Sequence, residues 1–519
     1  MSSSSPGGVT PGRLVARRPV RRPVAGDLIA GISVAIVLIP QSLAYAQLAG
    51  MPAYRGLYAA ALPPIAAALF ACSPYLQTGP VALTSLLAFG ALSALAPPGS
   101  AEYVRLGILL ALVVGVARLV VGLARAGVIA YLVSQPMLLG FMPAAAILIV
   151  ASQLPTALGV TPDWDGIIEG AAWALTHPGS WDVASLLLAA GVVALMLGGR
   201  LVHPLFPSVP IAVACGLVVS GVGDYDGATV GPIPGGLPPL SLDMPWGDLP
   251  TLVLPGVVIA LVGFVEPSAI ARTYAALDRQ RWDADREFLG QGAANVAAAV
   301  SGGFPVGGSF SRSALARLSG ARTRWNGAVA GLAVLVFVPF ASFLEPLPRA
   351  VLGGVVIGSV LGLIRIRPIL RLLSFSRPQF VVAGVTFVLT LALSPHIEQA
   401  IVIGIGLAVA THLFRELSLD VVSWTENETL HLRPRGVLWF GTAPRLEDSL
   451  LDQVAQHPDA RSLVIHLDAV GRIDTTAALS LRSLLQDARA AGLDARIGEI
   501  RPRWARLVER VIESPDDPV

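Results

Sequence analysis

Lysine is absent from this sequence, because all 36 basic residues among its 519 are arginine. A Schiff-base lysine and the lysine of a phosphate-binding loop are therefore excluded. Only 13% of the residues are charged, against about 25% in soluble domains. Cysteine is also scarce, and Cys72 and Cys215 lie in or beside apolar runs, which argues against a disulfide framework. With a mean hydropathy of +0.69, the chain is predicted to be an integral membrane protein.

Signals for catalysis and for nucleic-acid binding are missing as well. The seven histidines show no metal-ligand spacing, and the sequence has no nucleophile–base pair or nucleotide-binding loop. A formal net charge of +2 is too small to indicate a nucleic-acid partner. We therefore expect no enzymatic activity, no cofactor and no metal.

Apolar segments long enough to enter a membrane recur from residue 27 to residue 415. We predict fourteen spans, near 27–46, 56–71, 78–96, 103–124, 137–158, 183–198, 209–222, 249–271, 286–301, 307–320, 326–344, 347–364, 378–394 and 398–415. The Ala44-Tyr45-Ala46 sequence that ends the first segment imitates a signal-peptide cleavage site, but the later segments favour a true span.

Arginine placement supports this count. If the basic N-terminus, residues 1–26, is cytoplasmic and the spans alternate, fifteen arginines, including Arg118, fall in cytoplasmic loops. Only Arg55, Arg105 and Arg349 fall outside. The outside loops carry acids instead, such as Asp163, Asp165 and Asp224. We therefore expect a multi-pass protein of a bacterial inner membrane, surrounded by lipid, with both termini in the cytoplasm.

The membrane part also looks duplicated. Gly/Ser/Pro-rich breaks occur at 71–87 and 300–318, each at the start of the third span of its half. Seven spans per repeat is an odd number, so the repeats, about 27–222 and 249–415, must have opposite orientations. Such a 7+7 inverted repeat is typical of secondary transporters.

The two breaks predict an anion site. Irregular backbone at membrane depth survives only where it is buried in protein or lines a cavity, so we expect both breaks at one shared site. Residues 308–322 would form a half-helix whose first amides lack partners and carry partial positive charge. The expected amide donors are Gly79, Pro80, Val81 and Ala82 from the first break and Gly307, Gly308, Ser309, Phe310 and Ser311 from the second. Arg312 adds a full positive charge, which favours an anion at mid-membrane. The alternatives are snorkelling of Arg312 and glycines that only allow close helix packing.

Three further polar residues lie inside apolar spans. Glu266 is an intramembrane carboxyl group, and we expect it either to carry a proton or to be held charged by Arg312. A proton on Glu266 would offset the charge of an entering anion. Gln41 and Tyr45 lie four residues apart on one helix face, so both could face the site. A structural ion pair for Glu266 and interhelical hydrogen bonding for Gln41 are the alternatives.

The C-terminal part reads as a separate soluble domain. Residues 416–429 form a polar segment that we interpret as a linker. Residues 430–519 show short strands at TLHLRP, GVLWFG, RSLVIHLD and DARIGEI, with helical spacing in between. The expected order is ββαβαβα, which describes a small cytoplasmic α/β domain.

Several motifs resemble the sulfate permease (SulP) family. They are AGISVAIVLIPQSLAYAQLAGMPAYRGLYAA, TGPVALTSLL, GGFPVGGSFSRSALARLSGART and LVGFVEPSAIARTYA. LDAVGRIDTTAALSLRSLL resembles the centre of a STAS domain. Asp474-Thr475-Thr476-Ala477 stands where phosphorylated STAS domains have Asp-Ser-Ser-Gly, which argues against a phosphorylation switch.

The resemblance implies an α-helical membrane protein of fourteen spans, divided into core and gate domains, with a STAS domain. It also implies a homodimer, elevator-like movement, and an anion site between the third spans of the repeats and facing the first span. By this resemblance Gln41, Tyr45 and the break residues bind substrate, and Glu266 is the coupling acid.

We therefore expect a secondary transporter of a small anion such as sulfate, bicarbonate, chloride or a dicarboxylate like fumarate, with H+ as a co-substrate. Two alternatives remain. One is a nucleobase permease of the same 7+7 design, and the other is a membrane-anchored STAS signalling protein.

Overall fold

A computed structural model describes residues 23–131, 134–162, 166–203, 206–223, 225–241, 243–416 and 419–512. The chain divides into two compact units, Met1–Ile405 and Gly406–Val519. All five arginines of the N-terminal segment 1–26, and Asp163, Asp165 and Asp224 of the expected outside loops, lie outside the described residues.

The first unit is helical. In its first half the helices are α1 (Ala25–Leu48), α2 (Arg55–Phe70), α3 (Ala82–Leu92), α4 (Ala101–Leu123), α5 (Gln135–Leu158), α6 (Ile167–Thr176), α7 (Val183–Val202) and α8 (Ser208–Val222). In its second half they are α9 (Leu249–Val262), α10 (Val265–Leu277), α11 (Ala284–Val300), α12 (Phe310–Leu318), α13 (Trp325–Phe337), α14 (Arg349–Val360), α15 (Arg367–Phe375), α16 (Arg377–Ala392) and α17 (Ile397–Glu416), whose residues from Gly406 onward belong to the second unit.

The helices of the first unit form two groups drawn from both halves. In one group α11 packs against α2 and α4, while α13 packs against α1 and α2. In the other, α14 packs against α5 and α7, and α16 packs against α5. This interleaving fits the expected division into a core and a gate.

Helix ends follow local sequence signals. Ser100 caps α4 by accepting from the Tyr103 amide, and Asp283 caps α11 by accepting from the Arg286 amide. Gly159 ends α5 with a φ of 67°, a left-handed conformation that glycine adopts without steric cost.

The outer faces of the long helices are apolar. On α1, Leu28, Ile32 and Ile36 follow each other at four-residue spacing and are about half exposed, as expected of side chains that face lipid. Among the described residues, eight helices are both long and apolar enough to cross a membrane. Each of the fourteen predicted segments contains a helix, and the number of actual crossings stays a prediction.

Two expectations for this unit need correction. The segment 249–271 is not one helix, because it breaks at Gly263 between α9 and α10. Residues 167–176, expected to be loop, form the short helix α6. Its Glu169 lies in the first turn, where the partial positive charge of the helix end favours an acid.

The second unit is an α/β domain. Its strands are β3 (Asp420–Glu426), β4 (Thr429–Leu438), β5 (Ser462–Leu467), β6 (Val470–Ile473) and β7 (Asp494–Ile500), and its further helices are α18 (Ala443–Gln456), α19 (Thr475–Ala490) and α20 (Pro502–Ile512). The sheet order is β3-β4-β5-β7, and β6 pairs with β4. Only the β3–β4 pair is antiparallel among these described strands. Leu432, Ile465 and Leu481 belong to the buried core.

The observed order ββαββαβα differs from the expected one. The supposed linker 416–429 contains β3, whose residues Val421 and Trp424 are half-buried against β4. The two short strands expected between 429 and 440 are one continuous strand, β4, because Pro434 and Gly436 do not interrupt its pairing with β3 and β6. Strand β6 was not expected.

Candidate functional site

The two breaks of the membrane unit meet. The pairs β1 (Thr78–Gly79) and β2 (Gly307–Gly308) form a short antiparallel ladder, with Thr78 opposite Gly308 and Gly79 opposite Gly307. Helix α3 begins three residues after β1, and α12 begins two residues after β2. Because the two strands run in opposite directions, the helices leave this crossing in opposite directions with their N-termini close together.

Glycine is favoured at this crossing by close packing at Gly308 and by backbone conformation at Gly79. A Cβ at Gly308 would lie 2.7 Å from Leu76 Cδ1 and 3.1 Å from Pro267 Cγ. At Gly79, where φ is +153°, it would lie 3.5 Å from a terminal nitrogen of Arg312. The glycines thus allow backbone, α10 and the guanidinium to approach each other.

The helix starts supply amide donors, with one correction. The first amides of α3 and α12, such as those of Ala82 and Ser311, have no acceptor within their own helices. Pro80, expected among the donors, has no N–H and instead contributes its carbonyl oxygen as an acceptor. Ser309 caps α12, because its Oγ lies 3.4 Å from the Arg312 amide nitrogen.

Arg312 is buried and points into the crossing. Its Nη1 donates to Gln41 Oε1 over 3.1 Å, and its Nη2 donates to the Pro80 carbonyl over 2.8 Å. The guanidinium therefore joins α1, the first break and α12, and it does not snorkel to an interface. Its Nε is buried without a hydrogen-bond partner among the described residues. An unused donor on a buried cation is costly unless a ligand completes it.

Glu266 lies in the first turn of α10, beside the start of α12. Its Oε1 accepts from the Phe310 amide over 3.4 Å. No ion pair joins it to Arg312 in the described part of the chain, so of the two alternatives for Glu266 the direct pairing is not observed. The carboxyl group instead occupies a position at the N-terminus of α12, where a negative charge is stabilised.

The remaining expected residues surround these groups. Tyr45 is buried one turn beyond Gln41, and its hydroxyl lies near Ser359 of α14, Arg312 and Glu266. Val81 is buried as the residue before α3. In contrast, Phe310 and Ser311 are exposed, so their side chains face outward from the packed crossing.

Side chains of helix α11 form hydrogen bonds to both breaks. The sequence did not predict this role for α11. Asn295 Oδ1 accepts from the Val306 amide over 2.9 Å, and its Nδ2 donates to the Val306 carbonyl over 3.1 Å. One turn earlier, Gln291 Nε2 donates to Thr78 Oγ1 over 2.8 Å. The available signal was two amide side chains at i,i+4 within a run of small residues.

The prediction that Arg118 lies in a cytoplasmic loop is wrong. Arg118 lies inside α4, where it is fully buried. Its guanidinium donates to the carbonyls of Ala260 and Val306, both over 3.0 Å. The loop assignment was inconsistent with the predicted span 103–124, which already contains Arg118. An arginine within an apolar run should have been treated as an intramembrane charge.

The fold and the paired breaks define a helical membrane transport domain followed by an α/β domain. A model of the sulfate permease family matches residues 24–386, and a model of the STAS domain matches residues 423–515. The chain belongs to the sulfate permease family, whose members are transporters and not enzymes.

Relatives and solved structures agree with this assignment. The chain is 35% identical over 395 residues to the probable sulfate transporter MT1781 of Mycobacterium tuberculosis, which covers 74% of this chain and 70% of the relative. It is 29% identical over 516 residues to the probable sulfate transporter 4.2 of Arabidopsis thaliana, covering 91% of this chain and 75% of the relative.

Two solved structures share the fold. The murine Slc26a9 anion transporter in the inward-facing state superposes with a TM-score of 0.86 at 19% identity, covering 96% of this chain and 89% of that one. The transmembrane domain of the cyanobacterial bicarbonate transporter BicA superposes with a TM-score of 0.65 at 24% identity, covering 74% of this chain and 98% of that one.

Proposed function

We propose that this anion transporter of the sulfate permease family is a secondary active transporter that binds a small anion between the N-termini of α3 and α12. The residues proposed to form the site are Gln41, Tyr45, Gly79, Pro80, Val81, Gly308, Phe310, Ser311 and Arg312. The amides of the helix starts hold the anion, and Gln41 and the Pro80 carbonyl orient the guanidinium.

The observation that carries this proposal is the buried Arg312 at the β1–β2 crossing. Two helix N-termini and one guanidinium concentrate positive potential there, and among the described residues the half-buried Glu266 is the acid that lies beside the start of α12. Backbone amides and a cation together favour an anion of small size. Such a site recognises the charge of the anion more than its chemical identity. Sulfate is the first substrate to test, because the two relatives are named as sulfate transporters.

Glu266 is proposed to couple anion movement to H+. Ionised, it accepts from the Phe310 amide and repels an anion at the same helix end. Protonated, it removes this repulsion, so proton and anion would bind together. This arrangement favours symport over uncoupled movement.

The movement is proposed to be of the elevator type. The two helix groups fit this, because α1, α12 and the crossing belong to one group while α14 belongs to the other. Tyr45 on α1 meets Ser359 on α14, so the site lies beside the boundary along which the groups would slide. A homodimer, a bacterial inner membrane and cytoplasmic termini are part of the same proposal.

The two alternative functions are less well supported. A nucleobase would need side chains that form hydrogen bonds with its polar edge. This site is instead built from a guanidinium and helix N-termini. A signalling protein would not need an unused donor on the buried Arg312.

Reconstitution in liposomes tests the proposal. We expect uptake of labelled sulfate, bicarbonate, chloride or fumarate, faster with an inward proton gradient, and no uptake of labelled uracil. Arg312→Gln should abolish anion uptake. Arg105→Gln, which removes an exposed arginine of α4, should leave it unchanged. Uracil uptake that persists in Arg312→Gln, without anion uptake by the wild type, would contradict the proposal.

A further inference from the structure

Arg118 is a second buried arginine close to the proposed anion site. It is fully buried, and its three hydrogen bonds go to the carbonyl oxygens of Ala260, Val306 and, over 3.4 Å, Ile259. All three acceptors are uncharged. In the part of the chain that the structure describes, no carboxylate lies within ion-pair distance of this guanidinium.

A buried cation without a counter-charge is costly in a membrane, and carbonyl dipoles offset only part of the cost. One role that would justify it is structural, since Ile259 and Ala260 lie in the last turn of α9, whose partial negative charge a cation stabilises. Such a role needs the hydrogen bonds of Arg118 but makes no use of its long-range electric field.

Its position suggests a second role. Val306, which accepts from Arg118, directly precedes β2 of the crossing. A Cβ placed on Gly263 would lie 2.8 Å from Arg118 Nη2 and 3.0 Å from Thr84 Cγ2. Thr84 belongs to the first turn of α3. The guanidinium and this first turn therefore both border Gly263, so Arg118 lies close to the proposed anion-binding end of α3.

We infer that Arg118 is a specificity-determining residue, whose charge acts across the crossing and favours divalent over monovalent anions. This inference rests on the proposed function, because it assigns Arg118 to the same site. Arg118 does not touch the anion. Its contribution is a Coulomb energy, which doubles when the charge of the anion doubles.

The expected size follows from this scaling. With about 10 Å between the charges and an effective dielectric constant of about 20, loss of the Arg118 charge weakens binding roughly 15-fold for a monovalent anion and roughly 200-fold for a divalent one. The preference for the divalent anion therefore falls roughly 15-fold. A purely structural role would weaken both by the same factor.

The test compares sulfate with chloride on the purified full-length protein, using ligand-dependent thermal stabilisation to obtain both dissociation constants. Arg118→Gln should lower the sulfate-to-chloride preference. Arg118→Lys keeps the charge and should keep the preference, even where lost hydrogen bonds lower stability. Arg105→Gln on the same helix is the matched control and should change neither constant.

A second variant neutralises the positive charge of Arg118 while keeping the arginine itself. Val114 is buried one turn before Arg118 on α4, and Val114→Asp would place a carboxylate at i,i+4 to form a neutral pair. It should lower the preference as Arg118→Gln does, so the inference is testable even if Arg118→Gln does not fold. Equal weakening of sulfate and chloride binding in either folded variant would overturn the inference. Wild-type protein that binds neither anion would instead refute the anion site itself.

Discussion

Replacing Glu266 by glutamine gives a direct test of proton coupling. The carboxyl oxygen lies 3.4 Å from the Phe310 amide nitrogen, at the helix end where we place the anion. Glutamine keeps an oxygen that can accept from this amide but removes the negative charge. The hydrogen bond at the start of α12 should therefore persist in the variant, while the negative charge of residue 266 is lost.

The magnitude follows from Coulomb's law. With about 5 Å between an ionised Glu266 and a monovalent anion, and an effective dielectric constant of about 20, their repulsion is about 3 kcal/mol. This corresponds to an affinity difference of roughly 200-fold between the ionised and protonated states. Since protonation removes the repulsion, anion affinity of the wild type should rise as the pH falls. In Glu266→Gln it should be high and independent of pH.

The assay is uptake of labelled sulfate into proteoliposomes, measured with and without an inward proton gradient over a series of pH values. Wild-type uptake should accelerate with the gradient, and Glu266→Gln should not respond to it. Glu102→Gln, which alters an exposed acid in the first turn of α4, is the matched control and should behave as wild type. A Glu266→Gln protein that still responds to the gradient would show that another group carries the proton.

Two further predictions concern stability. Asn295→Ala leaves the buried Val306 amide unpaired, while the Val306 carbonyl keeps its hydrogen bond from Arg118, so the change should cost about 1–3 kcal/mol and lower the melting temperature of the purified protein; an unchanged melting temperature would contradict the supporting role of Asn295. Burial, followed by the neighbouring His431 and Arg433, lowers the pKa of His466 below its ordinary 6.5. The folded state therefore disfavours protonated His466, so the second unit should be fully stable above about pH 6.5 and lose stability below it, and His466→Gln should weaken this dependence in full-length protein melts.

The hydrogen bond between His431 and His466 gives a physical reason why the second unit should lose stability as the pH falls. His431 Nδ1 lies 2.9 Å from His466 Nε2, so only one of the two nitrogens can carry the shared proton. A proton added to His466 places a cation beside Arg433. A melting profile of His466→Gln as steep below pH 6.5 as that of the wild type would contradict this account.

Local sequence signals were sufficient for much of the fold. Long apolar segments identified helices because a backbone in lipid must satisfy its own hydrogen bonds. The Gly/Ser/Pro breaks near Gly79 and Gly308 marked where these helices stop, because such residues favour turns over continuous helix. The same reasoning failed at β3, which lies in a polar stretch of sequence but pairs with β4 through backbone groups that sequence composition does not reveal.

The site was predicted in outline but not in its contacts. That Arg312 adds charge to a helix start follows from its place three residues after Ser309. Its bonds to Gln41 and to Pro80 could not be predicted, because these residues lie 271 and 232 positions away in the chain. For the same reason Glu266 could not be assigned to the Phe310 amide in place of Arg312.

The sequence alone determined that this is a membrane protein with two interrupted segments, since hydropathy and backbone breaks are properties of short stretches of chain. Only the tertiary structure decided that the breaks pair as antiparallel strands, that Arg118 is buried behind them and that Asn295 holds Val306. These contacts join residues that are distant in the chain, and they depend on how the helices pack. Packing geometry is a property of the whole fold and is not encoded in any single segment.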